Sequence, residues 1–160
     1  MALGINFSAS QKSPVSQFLK ELANLDTHKM FDEIGAAMVA STQLRFVGQH
    51  DVDGNPWKAS WRAQMQGGQT LRDTGRLMNG LTHNVLGSGN GVEWGSGETY
   101  AAPLHFGADI YPKTAQYLVF KVGSQFVKSK HVHIEARPFL GVNQEDEQTI
   151  LNIIRKFIDG

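Results

Sequence analysis

Six of the chain's 17 glycines fall between positions 80 and 97 (Gly80, Gly87, Gly89, Gly91, Gly95 and Gly97), while both ends are glycine-poor. Glycine loses the most backbone freedom on ordering and disfavours helix, so the middle must be turns and short strands, with long helices confined to the flanks. The flanks carry the helical signals. Met30, Ile34, Met38 and Thr42 are spaced by four, Phe31 and Leu44 flank that stripe, and Asp26 stands where a cap belongs. This predicts a long helix over 27–47. Ahead of it, Ser13-Pro14 is a cap and first-turn pair, and Phe18, Leu19, Leu22 and Leu25 predict a helix over 14–25, with 1–12 a flexible arm. At the other end Asn143 caps a helix with Glu145, Asp146 and Glu147 in its first turn and Arg155 and Lys156 in its last, matching the helix dipole at both ends. Ile150, Ile154, Phe157 and Ile158 form its apolar face.

Between the flanks, Leu81, His83 and Val85 alternate with polar neighbours, and Val92-Glu93-Trp94 returns after the Gly87–Gly91 turn, which reads as a hairpin. Residues 50–57 are a turn, 58–70 a polar surface loop, and 72–79 a short helix ended near Gly80. Tyr100–Phe106 fits a short helix or an irregular segment equally well. Tyr117–Val122, a Gly123-Ser124 turn and the returning Phe126–Ile134 make a second, long hairpin. The expected fold is α+β: two N-terminal helices and a C-terminal helix packed on an antiparallel sheet with a long β-hairpin, all in one domain of 160 residues.

Composition narrows the function. With no cysteine, disulfide scaffolds, thiol nucleophiles and Cys-type zinc sites are excluded. Fifteen Lys+Arg cancel fifteen Asp+Glu, so little long-range repulsion opposes self-association and there is no basic surplus to drive free-standing nucleic-acid binding. The N-terminus lacks the pattern of a signal peptide, and no apolar run is long enough to span a membrane, so a soluble protein made in the cytoplasm is expected.

No motif reaches catalytic or cofactor-binding form. Asp51-x-Asp53-x-Asn55 opens like a calcium loop, but the sixth position is Pro56 and the twelfth is Arg62, so a polar Asx turn is the expectation. His131 and His133 share a strand face with Glu135, the start of a metal site, but Lys128 and Lys130 stand beside them and no metal is expected. Gly87-Ser88-Gly89-Asn90-Gly91 leads into a strand and lacks a following Gly-Lys-Ser/Thr, so it is a hairpin turn. Trp94-Gly95-Ser96-Gly97 lacks the spacing of a nucleophile elbow. The stretch from Tyr111 to Ile134 is more distinctive, carrying Lys113, Lys121, Lys128 and Lys130 and no acid, with Tyr111, Tyr117, Phe120 and Phe126 interleaved. It suits an edge protected from pairing by lysine, an arm gripping a partner in an assembly, or an aromatic and cationic surface for nucleic acid.

Three segments have no local account. Asp53-Gly54-Asn55-Pro56-Trp57 sets an indole directly after a turn; Leu71-Arg72-Asp73-Thr74-Gly75-Arg76-Leu77 places polar residues between leucines; Ala136-Arg137-Pro138-Phe139-Leu140-Gly141 fixes an arginine before a rigid turn. Arg137 is expected to cap a neighbouring helix or pair with a carboxylate.

Together with Arg45-Phe46, Val92-Glu93-Trp94-Gly95-Ser96, Tyr100-Ala101 and His105-Phe106-Gly107, and in this order, these segments resemble the phage virion morphogenesis family, the tail-completion group of tailed bacteriophages including the Mu-like proteins. The resemblance covers about 45–158. Where relatives tend to have Ala-x-x-His before Phe-Gly, this chain has Ala102-Pro103-Leu104-His105, which implies a local backbone change only. The resemblance makes Trp57, Asp73, Gly75, Arg76, Tyr100, His105, Gly107, Arg137, Pro138 and Phe139 the motif residues. It implies a non-enzymatic virion protein without cofactor at the head–tail neck. Such a protein caps the tail tube as a hexameric ring, a tail completion or terminator protein, and docks to the head connector or stopper. Its partners would be itself, the tail tube protein, a sheath where the tail is contractile, and genome DNA passing through the ring. On that reading Lys113, Lys121, Lys128 and Lys130 would meet Glu145, Asp146 and Glu147 of a neighbour, with Asp51 and Asp53 as alternative acceptors. The alternatives are a monomeric nucleic-acid-binding module using 111–134, or a metal-dependent hydrolase using His131 and His133.

Overall fold

The computed structural model describes residues 24–87 and 89–159. The helix expected over 14–25 and the arm over 1–12 lie outside these, apart from the last two residues of that helix. In chain order the elements are α1 (Thr27–Gly48), α2 (Trp61–Gln66), α3 (Arg76–Asn79), β1 (Leu81–Leu86), β2 (Gly91–Ser96), α4 (Ala101–Phe106), β3 (Ala108–Ile110), β4 (Leu118–Val122), β5 (Gln125–Ser129), β6 (Val132–Ile134) and α5 (Gln144–Asp159). The architecture is α+β, with antiparallel pairing throughout.

α1 organises the molecule. Asp26 caps it, accepting from the Lys29 N–H at 3.0 Å. Its buried residues are Met30, Ile34, Gly35, Met38, Thr42, Arg45 and Phe46, the expected stripe extended by one more turn. Leu44, read as a flank of that stripe, is 67% exposed, because the stripe passes to 45 and 46 and turns 44 outward. Two clusters build the core. Met30, Ile34 and Met38 pack with Val92, Trp94, Ile150, Ile153, Ile154 and Phe157, joining α1 to β2 and α5. Phe46, Leu77, Leu81, Ala101 and Phe139 form the second, with Trp57, Leu71, Leu104 and Leu140 against them. The β1–β2 hairpin approaches α1 closely at Gly35, where a Cβ would stand 2.4 Å from the His83 ring and 2.7 Å from Val92 Cγ2.

Several expectations need correction. The three ladders β1–β2, β3–β6 and β4–β5 are separate two-stranded sheets, not one sheet. The long hairpin is divided: β4 and β5 pair from Leu118↔Ser129 to Val122↔Gln125, whereas β6 leaves that hairpin to pair with β3, Asp109 opposite His133. The 58–70 segment is no simple surface loop. Ser60 caps α2 through the Ala63 N–H, and Thr70, 3% exposed, is held by the Gln49 amide on both its N–H and its carbonyl. The short helix begins at Arg76 rather than Arg72, because Leu71 and Gly75 take left-handed φ angles of 61° and 79° and break the chain before it. Tyr100–Phe106 resolves as helix α4, and Pro103 sits in its first turn, where no intrahelical N–H bond is lost.

Candidate functional site

The motif segments converge on Phe46 and Phe139, both with no exposed surface. The Trp57 ring meets Phe46 edge-on at 5.5 Å, and the indole N–H donates to the Pro138 carbonyl at 3.0 Å. Phe46 and Phe139 lie 5.2 Å apart, and His105 stands edge-on to Phe139 at 5.0 Å. His105 Nδ1 accepts from the Phe139 N–H at 3.2 Å, which requires an unprotonated Nδ1. Burial pushes the His105 pKa below its ordinary value, in the same direction. Gly107, at φ 77°, lies under the 134–136 backbone, where a Cβ would sit 3.0 Å from the Ile134 carbonyl oxygen. The indole after the turn and the Arg-Pro-Phe connector thus lock the loops over the core.

Behind this lock lies a charged staple. Arg45, 2% exposed, donates Nη1 to the carbonyls of Phe139 (3.0 Å) and Gly141 (2.9 Å), and Nη2 forms an ion pair with Asp146. Asp146 also accepts from the Ser41 hydroxyl and from the Asn143 N–H at 3.1 Å, while Asn143 Oδ1 accepts from the Asp146 N–H at 2.8 Å. This is a reciprocal capping box at the start of α5. Asp146 is therefore an internal partner, 4% exposed, and not an acceptor for a neighbouring subunit as expected. Arg45 was not singled out for this role, although its place on the buried stripe of α1 was the signal for it.

Arg137, 7% exposed, departs from both expected partners. Its Nε donates to the Lys58 carbonyl at 2.9 Å and its Nη1 to the Glu135 carbonyl at 3.1 Å, neither at a helix end. It is the backbone N–H of Arg137 that reaches the helix-end carbonyl of Leu104, at 2.9 Å. Asp73 and Arg76 stand near it: Asp73 lies 3.5 Å from Arg62, and Arg76 Nε is 2.7 Å from Glu98. Tyr100 occupies the N-cap position of α4 without a side-chain cap bond.

The basic segment is exposed. Between Ala108 and Ile134 no residue is buried. Strand alternation places Val119, Lys121, Phe126 and Lys128 on the exposed face of β4–β5, Phe126 at 74% exposure, and the half-buried Leu118, Phe120, Val122 and Val127 on the other. Lys130 lies over the Tyr117 ring at 5.9 Å. Among the described residues, Lys113, Lys121, Lys128 and Lys130 have no carboxylate within ion-pair distance. Nor do the exposed Glu145 and Glu147 have a cation.

His131 and His133 do share a face, but the acid they meet is Asp109 of β3, not Glu135. Both rings contact Asp109 Oδ1, at 2.7 and 2.8 Å, and Tyr111 stacks on His131 at 4.8 Å. Hydrogen bonds from His133 and then His131 hold the Asp109 carboxyl below its usual range. Glu135 turns instead to Lys58, 2.8 Å away. Among the described residues no group of three or more His, Asp or Glu side chains is placed to hold a metal ion. Asp51 caps its own loop, accepting from the N–H groups of Asp53 and Asn55, both at 2.9 Å, as an Asx turn does. No described helix is long and apolar enough to cross a membrane.

A sequence model of the phage virion morphogenesis family matches residues 11–159. No curated protein and no solved structure matches the chain.

Proposed function

Since the chain belongs to the phage virion morphogenesis family, a family of phage structural and assembly proteins, we propose that it is a ring-forming tail completion protein at the head–tail junction. It caps the tail tube and presents a docking surface to the head connector. The observation that carries this reading is the lysine-bearing β4–β5 hairpin, which has no buried residue and no acidic partner among the described residues. A two-stranded hairpin is marginal alone in water, so this one is built to be covered. In a closed ring one side of each subunit meets the opposite side of the next, and opposite charges fix orientation and register. Glu145 and Glu147, exposed at the start of α5, are the proposed acceptors, with Asp146 removed from that set. A ring of six around the genome's path is the stoichiometry proposed, with the tube protein and the connector on its two faces.

The role proposed is structural rather than catalytic. Among the described hydrogen bonds the imidazoles meet carboxylates or backbone and never a serine or threonine hydroxyl. The cysteine-free sequence permits a clean test. In Lys128→Cys/Glu147→Cys protein assembled into particles, a short bifunctional thiol linker should produce a ladder ending at six subunits. Complete particles yielding only single-chain species would contradict the ring contact. Tight, steeply salt-dependent DNA binding by the free chain would favour the nucleic-acid reading instead.

A further inference from the structure

The motif segments do more than lock the core, because they line an open pocket. A space of about 330 Å³ is walled by Arg62, Thr74, Arg76, Tyr100, Leu104 and Arg137, among others, within the size range of sites that take small ligands. Leu71, held at φ 61°, belongs to the same wall.

The charges of this wall do not cancel. Arg62 lies beside Asp73, and Arg76 is paired with Glu98. Arg137 has no such partner. The acid nearest to it in sequence, Glu135, attracts it through space, but the Glu135 carboxylate makes its close contact with Lys58, at 2.8 Å. The guanidinium satisfies Nε and Nη1 on two carbonyls, and Nη2 has no acceptor among the described residues. Nη2 is not sealed in protein, because the one described buried side-chain polar atom without a partner is Trp94 Nε1. Arg137 lines this pocket, is 7% exposed as a residue and keeps one guanidinium nitrogen without a protein acceptor among the described residues, which leaves room for one more charge-assisted hydrogen bond, to a carboxylate.

We infer that this cavity receives an acidic side chain from a peptide segment of a partner protein, its carboxylate on Arg137 and an adjoining apolar side chain against Leu71, Leu104 and Tyr100. A single carboxylate fits better than a bulky polyanion: Asp73 at the wall repels added negative charge, and Arg137 offers one open donor nitrogen. The apolar wall accounts for the second half of the ligand. This socket goes beyond the ring proposed above, and its test needs no ring.

The probes are the acetylated, amidated dipeptide Leu-Glu, its Leu-Gln counterpart, and inorganic phosphate, each titrated into the full chain and followed by NMR at the Arg137 Nε–H and the Leu104 methyls. Leu-Glu should shift both sets of signals and saturate at millimolar concentration, with Leu-Gln roughly ten-fold weaker or worse, as befits loss of one charge-assisted hydrogen bond. Arg137→Lys should weaken Leu-Glu by a similar factor. Thr74→Trp, at an exposed position on the cavity wall, should block it in a chain whose core is untouched. Equal affinity for Leu-Glu and Leu-Gln would overturn the proposal, as would no shift at tens of millimolar. Phosphate shifting the same signals at lower concentration than Leu-Glu would also overturn it, showing a general anion site.

Discussion

Phe46 and Phe139 are completely enclosed and the α1–α5 seam holds a buried ion pair, whereas no residue from 108 to 134 is buried at all. The two regions use similar residue types. Val119, Phe120, Phe126 and Val127 would suit a core as well as Ile150 or Phe157 do. What separates them is partners. α1 is packed by β1, β2 and α5 together, so each of its turns finds an apolar or charged counterpart within the chain. β4 and β5 pack chiefly on each other. Stability is thus concentrated around α1, and the 108–134 region carries surface that no other described element buries.

That contrast predicts a gradient of mutational effects. The largest lies at the Arg45–Asp146 pair. Asp146→Ala leaves a buried guanidinium unpaired and removes the capping box, and should cost about 3–5 kcal/mol, the usual range when one member of a buried pair is lost. Chemical denaturation of the free chain measures it. A loss under about 1 kcal/mol would mean that water reaches the staple and that the two regions differ less than their burial suggests.

Arg137→Ala comes next, at about 1–3 kcal/mol from lost hydrogen bonds of a charged donor to the Lys58 and Glu135 carbonyls. An unchanged melting temperature would show that these carbonyls are satisfied by solvent, weakening the idea of a lock over the core.

His105 sharpens the comparison through pH. Burial lowers its folded pKa below the ordinary 6.5. As pH falls through 6.5 the unfolded chain takes up the proton first, so stability is fully present above that pH and declines below it until the folded pKa is passed. His105→Asn keeps an acceptor for the Phe139 N–H and cannot titrate. Its stability should lose this part of the decline between pH 7 and pH 5, within the range where histidine titrates. A wild-type and variant pair with the same pH profile would contradict the neutral Nδ1.

The smallest effect belongs to the exposed face. Lys121→Ala and Lys128→Ala should each change the free chain's stability by less than about 0.5 kcal/mol. Trimming 117–130 to a short turn should leave a folded protein that fails to join heads to tails, since β6 stays paired with β3. A trimmed chain that does not fold would erase the distinction between the two regions.

The two long helices, α1 and α5, were legible because their signals are local. Asp26 and Asn143 announce α1 and α5, and the four-residue spacing from Met30 to Thr42 fixes which face is buried. The same spacing runs on to Phe46, with Arg45 three residues past Thr42 on the same face, but the three acids at the start of α5 read as helix-dipole chemistry until the chain is folded and Asp146 is seen enclosed against Arg45. The division of the long hairpin was not legible. Ala108–Ile110 is too short to show alternation, and its pairing with β6 spans more than twenty residues. The cavity was legible only as unexplained motif residues, since its wall draws on segments around 60–77, 100–104 and 137 that nothing local brings together.

In the ring proposed above, the lysine face of β4–β5 serves a neighbour's acids and not its own chain. Charge reversal in phage lacking the native gene tests it most directly. Lys121→Glu/Lys128→Glu should fold with an unchanged melting temperature yet leave heads and tails unjoined, and adding Glu145→Lys/Glu147→Lys should restore infectious particles. Normal particle yield from Lys121→Glu/Lys128→Glu alone would contradict it.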